Sequence, residues 1–510
     1  MASSSFFNDD PADGTTDAPD VLGRQPYAEH AVRMLRRVRQ QSDSGVLALI
    51  GPWGSGKSSV LGMVTRLLQQ PGQGEPWLVA ELNPWMYTDL DSLATALFAE
   101  IRQCLPSDAR WGETRKRLAA FGKAVSPLGA LGMLAGVNAQ LMLEGLANQV
   151  GGDTSASTAK RKVEASLRDL NQPILVVMDD LDRLTPAELL LVFKLVRLVG
   201  RLPNVHYLLS YDERTLRDVL SRTELVGTQE ARAGEFLEKM VQVRLDLPAF
   251  RERDANALIE QGLETVLKGH GRSLEHRDIP RFQEGFFAHL QERLTTPRAI
   301  KRLFAQIDAG LESVASEVDI VDYLLVTFLR TAEPGVFAMM KRYRAELTGT
   351  PSKLLMPRQR PEEKLQVWRD RVAAAGVAEE HCEGVLSLLA VLFKPVSDAL
   401  GNHGASANAD QRRGVSSNDY FDRYTMFSVP DDDQTEADFD TAIQQLASGD
   451  LGPEYTVFLE HLRTDTHRVA RRLRHRQETV PIPQLLALLA DEIGTVSAPA
   501  EALEIGRAHV

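Results

Sequence analysis

The sequence has little cysteine and no secretion signal. Its two cysteines, Cys104 and Cys382, lie far apart, which excludes a disulfide framework and a cysteine-based zinc site and is typical of a reducing compartment. The polar, acidic N-terminus lacks the basic stretch and apolar run that direct secretion. We therefore expect a cytoplasmic protein in which residues 1–20 are a disordered lead-in.

Positive charge is also in deficit. The net charge is −12 over 510 residues, so charge alone does not draw the whole chain to nucleic acid or to anionic lipid. Hydrophobic residues make up 43% of the chain, which is enough for globular cores. The length predicts two or three domains.

The first motif that points to chemistry is a glycine-rich loop. Residues 46–50 form a short apolar run typical of a buried parallel strand. Residues 51–58 match G-x-x-x-x-G-K-[ST], and the apolar spacing after them predicts a helix. In such a loop, backbone N–H groups surround phosphate oxygens at the positive end of the helix. The predicted nucleotide-binding residues are Gly51, Trp53, Gly54, Ser55, Gly56, Lys57, Ser58 and Ser59.

Two side chains of this loop have expected chemical roles. We expect Lys57 to reach the β- and γ-phosphates and the Ser58 hydroxyl to bind Mg²⁺. The alternative is a glycine turn that holds no ligand, which the flanking strand and helix disfavour.

A second motif ends an apolar run with carboxylates. Residues 174–178 predict a central strand that delivers acids to its C-terminal edge, where α/β sheets bind ligands. Asp179 is placed to hold Mg²⁺, and Asp180 to orient or activate the attacking water. The alternative is that Asp180 and Asp182 cap the next helix; we assign Asp182 mainly to that structural role.

Several segments in order, from residue 23 to residue 430, resemble the KAP family of P-loop NTPases, which belongs to the STAND and AAA+-like branch. Besides the two motifs above, they are Asn83-Pro84-Trp85, residues 236–242 leading to Leu247-Pro248, Thr296-Pro297-Arg298 and residues 420–424. The resemblance implies an α/β fold, a P-loop NTPase parallel sheet sandwiched by helices with an added strand between the two nucleotide motifs. It also implies a helical insert between those motifs and a C-terminal, mostly helical region.

The resemblance extends to further site residues. Arg298 corresponds to a sensor arginine that contacts the γ-phosphate and couples nucleotide state to domain closure; the alternative is a solvated arginine. Ser210 or Asp212, after the strand predicted at 205–209, corresponds to a γ-phosphate sensor, although a strand-end turn favours the same residue types. Arg183 is either an arginine finger that acts on the nucleotide of another chain or a structural brace.

We predict domain boundaries from these motifs and from composition. Residues 1–20 are the lead-in, and residues 21–248 are the NTPase core, which includes a helical insert at 105–165. Residues 249–310 form a helical lid. Residues 311–503 form a C-terminal helical region with a flexible loop at 401–418. Residues 504–510 read EIGRAHV, which one frame of a common sequencing adapter encodes. We expect that they are an assembly artefact and that the gene model is truncated.

Many KAP members carry transmembrane helices between the nucleotide motifs. Here residues 124–143 are uncharged and just long enough to cross a bilayer. They contain several glycines, Pro127, Asn138 and Gln140, and no second span follows. We therefore expect a helical insert packed on protein, with a re-entrant or interfacial hairpin at the inner face of the membrane as the alternative.

The expected function is Mg²⁺-dependent ATP binding and hydrolysis as a conformational switch, with phage defence or membrane-linked signalling as the role that the resemblance suggests. ATP rather than GTP rests on the resemblance, because no N-K-x-D motif is present. We expect a protein partner of unknown identity and allow for a homo-oligomer. The alternatives are an ATP-binding scaffold with little turnover and a nucleic-acid-stimulated ATPase. The most basic stretch, residues 463–476, is either a phosphate-contacting surface or, as we favour, a solvated helix face.

Overall fold

The computed structural model describes residues 10–12, 14, 15, 19–42, 44–70, 74–125, 156–199, 201–223, 230–349, 360–401, 408–450, 452–476 and 478–492. Contacts divide the chain into two compact units. The first comprises Asp9–Asp254 with Thr296–Arg298, and the second is mainly Ala255–Thr295 with Ala299–Val510. The separate lid and its boundaries stay a prediction.

The first unit contains a five-stranded parallel sheet in the order β2-β3-β4-β1-β5. Its strands are Val46–Ile50 (β1), Leu78–Leu82 (β2), Ile174–Met178 (β3), Val205–Tyr211 (β4) and Val243–Asp246 (β5). Every residue of β1, β3 and β4 is buried. Parallel strands that are covered on both faces are built from nearly continuous apolar runs, as these strands are. Strand β4 lies between β1 and β3, which confirms the added strand between the two nucleotide motifs.

Helices cover both faces of this sheet. They are Gln25–Gln41 (α1), Lys57–Gln69 (α2), Leu90–Cys104 (α3), Ala109–Val125 (α4), Ala156–Leu170 (α5), Pro186–Lys194 (α6), Glu213–Ser221 (α7) and Glu230–Met240 (α8). Leu47 and Leu175 pack into one core with α1 and α2, whereas Ala48 and Val176 pack into the other with α3 to α8. Successive strand residues point to opposite faces, so the predicted sandwich is confirmed.

The chain between β2 and β3 contains the helices α3, α4 and α5 among its described residues. Residues 126–143 of the predicted uncharged insert lie outside the described residues. Among the helices that the structure describes, none combines the length and the apolar character needed to cross a bilayer.

The described residues of the second unit form helices and turns without a strand. The helices are Glu252–Gly269 (α9), which starts in the first unit, Asp278–Gly285 (α10), Gln291–Arg293 (α11), Pro297–Leu311 (α12), Ile320–Ala332 (α13), Pro334–Arg342 (α14), Arg344–Leu347 (α15), Pro361–Ala374 (α16), Cys382–Leu392 (α17), Lys394–Leu400 (α18), Ala409–Arg412 (α19), Phe421–Met426 (α20), Glu436–Ser448 (α21), Pro453–Thr464 (α22), Thr466–Arg474 (α23) and Ile482–Glu492 (α24). A π turn, Phe286–Leu290, joins α10 to α11. Of the predicted loop at 401–418, residues 402–407 lie outside the described part, and α19 follows them.

The prediction of a solvated basic face at residues 463–476 is wrong for its central arginine. Arg472 is 3% exposed and pairs with Glu436 at 2.8 Å and Asp433 at 3.2 Å. Arg471 pairs with Asp419 at 2.6 Å. Distant acids therefore neutralise a stretch that is locally basic.

Candidate nucleotide-binding site

The glycine-rich loop connects β1 to α2 through left-handed backbone. Gly54 and Gly56 have φ values of +79° and +95°, a region that glycine adopts without steric cost. The Ser55 N–H donates to the Pro52 carbonyl at 3.2 Å, which tightens the turn. The helix then begins at Lys57, so its unpaired N–H groups lie at the end of the loop where an anion is favoured.

Lys57 is 6% exposed and lies over its own loop. Its Nζ donates to the Gly51 carbonyl at 3.0 Å and to the Pro52 carbonyl at 3.3 Å. Ionised phosphate oxygens are stronger partners for an ammonium than neutral carbonyls. Bound phosphates would therefore compete for this ammonium, as the role predicted for Lys57 requires.

The two predicted magnesium ligands lie next to each other. The Ser58 hydroxyl donates to Asp179 Oδ2 at 2.6 Å, and Asp179 follows the last residue of β3. Neighbouring oxygens around Mg²⁺ are about 3 Å apart, and Mg²⁺ binds hard oxygen ligands. The hydroxyl and carboxylate therefore fit Mg²⁺ after a small separation.

Asp180 adopts a strained backbone conformation beside Asp179. Its φ of 58° and ψ of 36° lie in the left-handed region, which non-glycine residues seldom adopt outside constrained sites. Its N–H donates to Asp179 Oδ1 at 2.8 Å, and its carboxylate pairs with Arg183 at 3.0 Å. Burial raises the pKa of Asp180 and the charge of Asp179 adds to the increase, whereas Arg183 opposes it. A higher pKa makes the carboxylate a better proton acceptor.

The helix-cap alternative for Asp180 and Asp182 is wrong. Thr185 caps α6, because its hydroxyl accepts from the Glu188 N–H and the Glu188 carboxylate accepts from the Thr185 N–H. Asp182 Oδ1 is buried and has no hydrogen-bond partner in the part of the chain that the structure describes.

Of the two γ-phosphate sensor candidates, Ser210 lies inside β4 rather than after it. The strand extends to Tyr211, and Ser210 is 0% exposed and in register with Leu49. The Ser210 hydroxyl has no hydrogen-bond partner among the described residues. A buried hydroxyl without a partner is costly, which makes this oxygen a polar group able to receive a ligand or a water.

The other candidate, Asp212, connects the end of β4 to the phosphate loop. Its Oδ1 accepts from the Arg214 and Thr215 N–H groups at 3.0 and 3.4 Å, so it caps α7. Its Oδ2 accepts from the Trp53 N–H at 3.0 Å. Sequence reasoning proposed Asp212 only as a γ-phosphate sensor and missed this contact with the loop backbone.

The segment Thr296–Arg298 packs against the phosphate loop within the first unit. The Arg298 guanidinium carbon lies 4.7 Å from the centre of the Trp53 ring. The Arg298 backbone nitrogen lies 3.5 Å from the Gly54 carbonyl oxygen. A Cβ on Gly54 would lie 3.0 Å from the Arg298 Cβ. The structure thus brings Arg298 to the predicted site, and the solvated alternative is wrong.

Ser59, the last predicted nucleotide-binding residue, contacts the N-terminal segment of the chain. The Ser59 hydroxyl accepts from the Ala12 N–H at 3.1 Å, a contact that no sequence signal indicated.

After β2, Pro84–Met86 form a 3₁₀ turn in which Trp85 and Met86 are 51% and 63% exposed. Sequence reasoning used the Asn83-Pro84-Trp85 motif only for the family resemblance and missed these exposed apolar side chains.

Comparison with known proteins agrees with this geometry. A family model described as the KAP family P-loop domain matches residues 24–312, more than half of the chain. The chain belongs to the KAP family. A similar relative is the phage T7 exclusion protein of Escherichia coli (strain K12), which is 24% identical over 369 residues. That match covers 64% of the KAP protein described here and 46% of the relative, so the chain spans about half of the relative's length.

Two solved structures show weaker similarity to the KAP protein. They are the ORC2 protein of Aeropyrum pernix, described as ADPNP–ADP complexes, and CDC6P of Pyrobaculum aerophilum, each with a TM-score of 0.35 and 14% identity. The matches cover 83% and 78% of this chain and 88% and 85% of those chains, respectively. Similarity at this level supports no argument about function.

Proposed function

We propose that this KAP protein binds ATP with Mg²⁺ on the loop of residues 51–58, hydrolyses the ATP, and uses the turnover as a conformational switch. The contact of 2.6 Å between the Ser58 hydroxyl and Asp179 supports this proposal most directly, because it joins the two nucleotide motifs across the edge of the sheet. The buried ammonium of Lys57 lies on the same loop.

Each side chain of the site has a role in this reaction. Lys57 leaves its carbonyl partners and neutralises charge that develops on the phosphates, and Asp180 orients the attacking water. Arg298 contacts the γ-phosphate and transmits its loss to α12, which begins at Pro297. Ser58 and Asp179 would hold Mg²⁺, which would supply positive charge to offset the charge of the phosphates.

A role in phage defence is a proposal by analogy with the relative named for phage exclusion. Membrane-linked signalling is the alternative role. We further propose a cytoplasmic location, which includes a peripheral position at the inner face of the membrane, and action through a protein partner or a second copy of the chain.

Phosphate release and nucleotide affinity, measured on the same preparations with ATP and GTP, test the proposal. Asp180→Asn removes the group that orients water, so phosphate release should fall by about 100-fold or more while ATP affinity stays within a few-fold. Lys57→Ala should abolish binding itself. Asp182→Asn is the matched control, since it changes a neighbouring carboxylate with no assigned role. Equal turnover in wild type and Asp180→Asn would remove Asp180 from the mechanism.

The pairing of Asp180 with Arg183 favours a second candidate, an ATP-binding scaffold with little turnover. The salt bridge at 3.0 Å engages the carboxylate that would otherwise orient the attacking water. A scaffold predicts tight ATP binding and negligible phosphate release in wild type, with no further loss in Asp180→Asn. A nucleic-acid-stimulated ATPase has less support, because Arg471 and Arg472 pair with acids of the chain itself.

A further inference from the structure

Three side chains of the second unit form a compact group of metal-ligand types that nucleotide chemistry does not use. His289, Glu292 and His381 each offer one ligand atom, and these three atoms lie within 4.8 Å of one another. His289 lies in the π turn and Glu292 follows in α11, whereas His381 directly precedes α17. Irregular π turns inside helices often occur at functional sites.

The surroundings of His289 fix which of its ring nitrogens can bind a ligand. The residue is 0% exposed, and its Nε2 lies 3.1 Å from a carboxylate oxygen of Glu333. An ionised carboxylate only accepts, so Nε2 carries the proton and Nδ1 keeps its lone pair. Arg293 holds the same Glu333 oxygen at 3.2 Å. A carboxylate behind a histidine in this way orients metal-ligating imidazoles.

The Nδ1 atom of His289 is buried and has no hydrogen-bond partner among the described residues. Leaving a buried acceptor unpaired costs free energy, so the atom is suited to a ligand. A Cβ on Gly384 would lie 2.9 Å from it. A larger residue at this position would therefore crowd the nitrogen, and glycine avoids that.

Within the described residues, His381 also presents an unpaired ring nitrogen to the group. Its Nδ1 is likewise buried without a hydrogen-bond partner in the described part of the chain and lies 3.7 Å from the Glu292 carboxylate. Its Nε2 lies 3.6 Å from the Glu380 carboxylate. The His289 and His381 rings are 5.5 Å apart between centres, with 62° between their planes.

We propose that His289, Glu292 and His381 bind one divalent transition-metal ion of the Zn²⁺ class. Two imidazole nitrogens and one carboxylate suit Zn²⁺, whereas Mg²⁺ and Ca²⁺ prefer oxygen ligands alone. Ligand atoms around tetrahedral Zn²⁺ are about 3.4 Å apart, so atoms that lie within 4.8 Å of one another need to close by about 1.4 Å at most. The Glu292 side chain is 63% exposed and free to make this movement. Three protein ligands leave a fourth position for water.

Zinc titration tests the site without reference to nucleotide turnover. Tag-free, full-length protein is stripped with a chelator, kept in excess Mg²⁺ to saturate oxygen sites, and titrated with Zn²⁺ against a chromophoric chelator. We expect one tight site per chain, weakened about tenfold or more in Glu292→Gln and in His381→Ala. His276→Ala is the matched control, because His276 is an exposed histidine of the same unit, and it should bind Zn²⁺ like wild type.

Cobalt spectroscopy provides a second readout of the same ligands. Co²⁺ bound by the three residues should give visible d–d bands that His381→Ala and Glu292→Gln lose, with circular dichroism confirming that both variants fold. Because the Glu292 side chain is largely exposed, Glu292→Gln should fold even where a histidine variant does not. Zn²⁺ binding that is not stoichiometric, or that neither substitution weakens, would overturn the proposal.

Discussion

At the scale of single residues, Asp212 both caps a helix and contacts the phosphate loop. One carboxylate oxygen caps α7 and the other holds the Trp53 N–H of the phosphate loop. The loop conformation therefore depends on a residue that follows β4, more than 150 positions later in the chain.

Asp212→Ala should lower both stability and nucleotide affinity. The lost cap costs about 1 kcal/mol of the free energy of unfolding. The lost hydrogen bond from Trp53 to a charged acceptor costs about 1.5 to 3 kcal/mol, so ATP affinity should fall roughly tenfold or more. Chemical denaturation and calorimetry measure the two effects.

The matched control for this change is Asp89→Ala. Asp89 also caps a helix of the first unit, because its carboxylate accepts from the Ser92 N–H at 2.8 Å. Its loss should reduce stability by a similar amount and leave ATP affinity unchanged. Reduced affinity in both variants would mean that Asp212 acts through stability alone.

At the scale of elements, the start of α12 packs against the phosphate loop. Thr296–Arg298 group with the first unit although the rest of the helix groups with the second. The Arg298 guanidinium packs over the exposed Trp53 ring. In the proposed switch, this helix would be the element that responds to nucleotide state.

Arg298→Ala should reduce turnover more than binding. If Arg298 stabilises charge in the transition state, its removal should lower the maximal rate by about tenfold or more while ATP affinity changes little. The control is Arg302→Ala, which removes an exposed arginine from the same helix. An equal loss of affinity and rate would indicate that Arg298 only braces the loop, and steady-state phosphate release distinguishes the two outcomes.

At the scale of the whole molecule, the second unit depends on buried ion pairs between distant segments. Arg423 and Glu436 are 1% and 4% exposed, and Arg472 contacts Glu436 at 2.8 Å. Glu317 and Asp433 complete the group through Arg423, at 2.5 and 2.6 Å respectively. Removing one member of such a group leaves an uncompensated buried charge.

Acid should destabilise the protein through Glu436. Burial alone would raise the pKa of Glu436, but Arg472 and then Arg476 outweigh burial and lower the pKa from 4.5 to about 2. The ionised form is thus favoured on folding, so its contribution is complete above pH 4.5 and is lost as pH falls from 4.5 to about 2. The contribution is on the order of 3 kcal/mol.

Urea unfolding at several pH values measures this dependence. Glu436→Gln should be less stable than wild type at neutral pH, with a weaker loss of stability below pH 4.5. Glu362→Gln, at an exposed glutamate, should follow the wild-type curve. An acid dependence in Glu436→Gln as steep as in wild type would place the responsible carboxylate elsewhere.

The nucleotide motifs and most of the sheet could be predicted from the amino-acid sequence. Backbone geometry and local periodicity decide these features, because Gly54 and Gly56 permit the left-handed loop and continuous apolar runs produce buried parallel strands. The predicted convergence of Ser58 and Asp179 followed from one rule, that the carboxyl ends of parallel strands meet at one edge of a sheet.

Which remote side chains meet depends on packing that arises only in the folded chain. Local sequence could not show that acids neutralise Arg471 and Arg472, or that the His289 and His381 rings lie 5.5 Å apart in an edge-on contact. These contacts join segments that are far apart in the sequence, and neither segment specifies its partner. The packing of whole helices therefore determines which side chains meet. Side-chain chemistry fixes what these groups can bind, and the fold determines whether they come close enough to bind it.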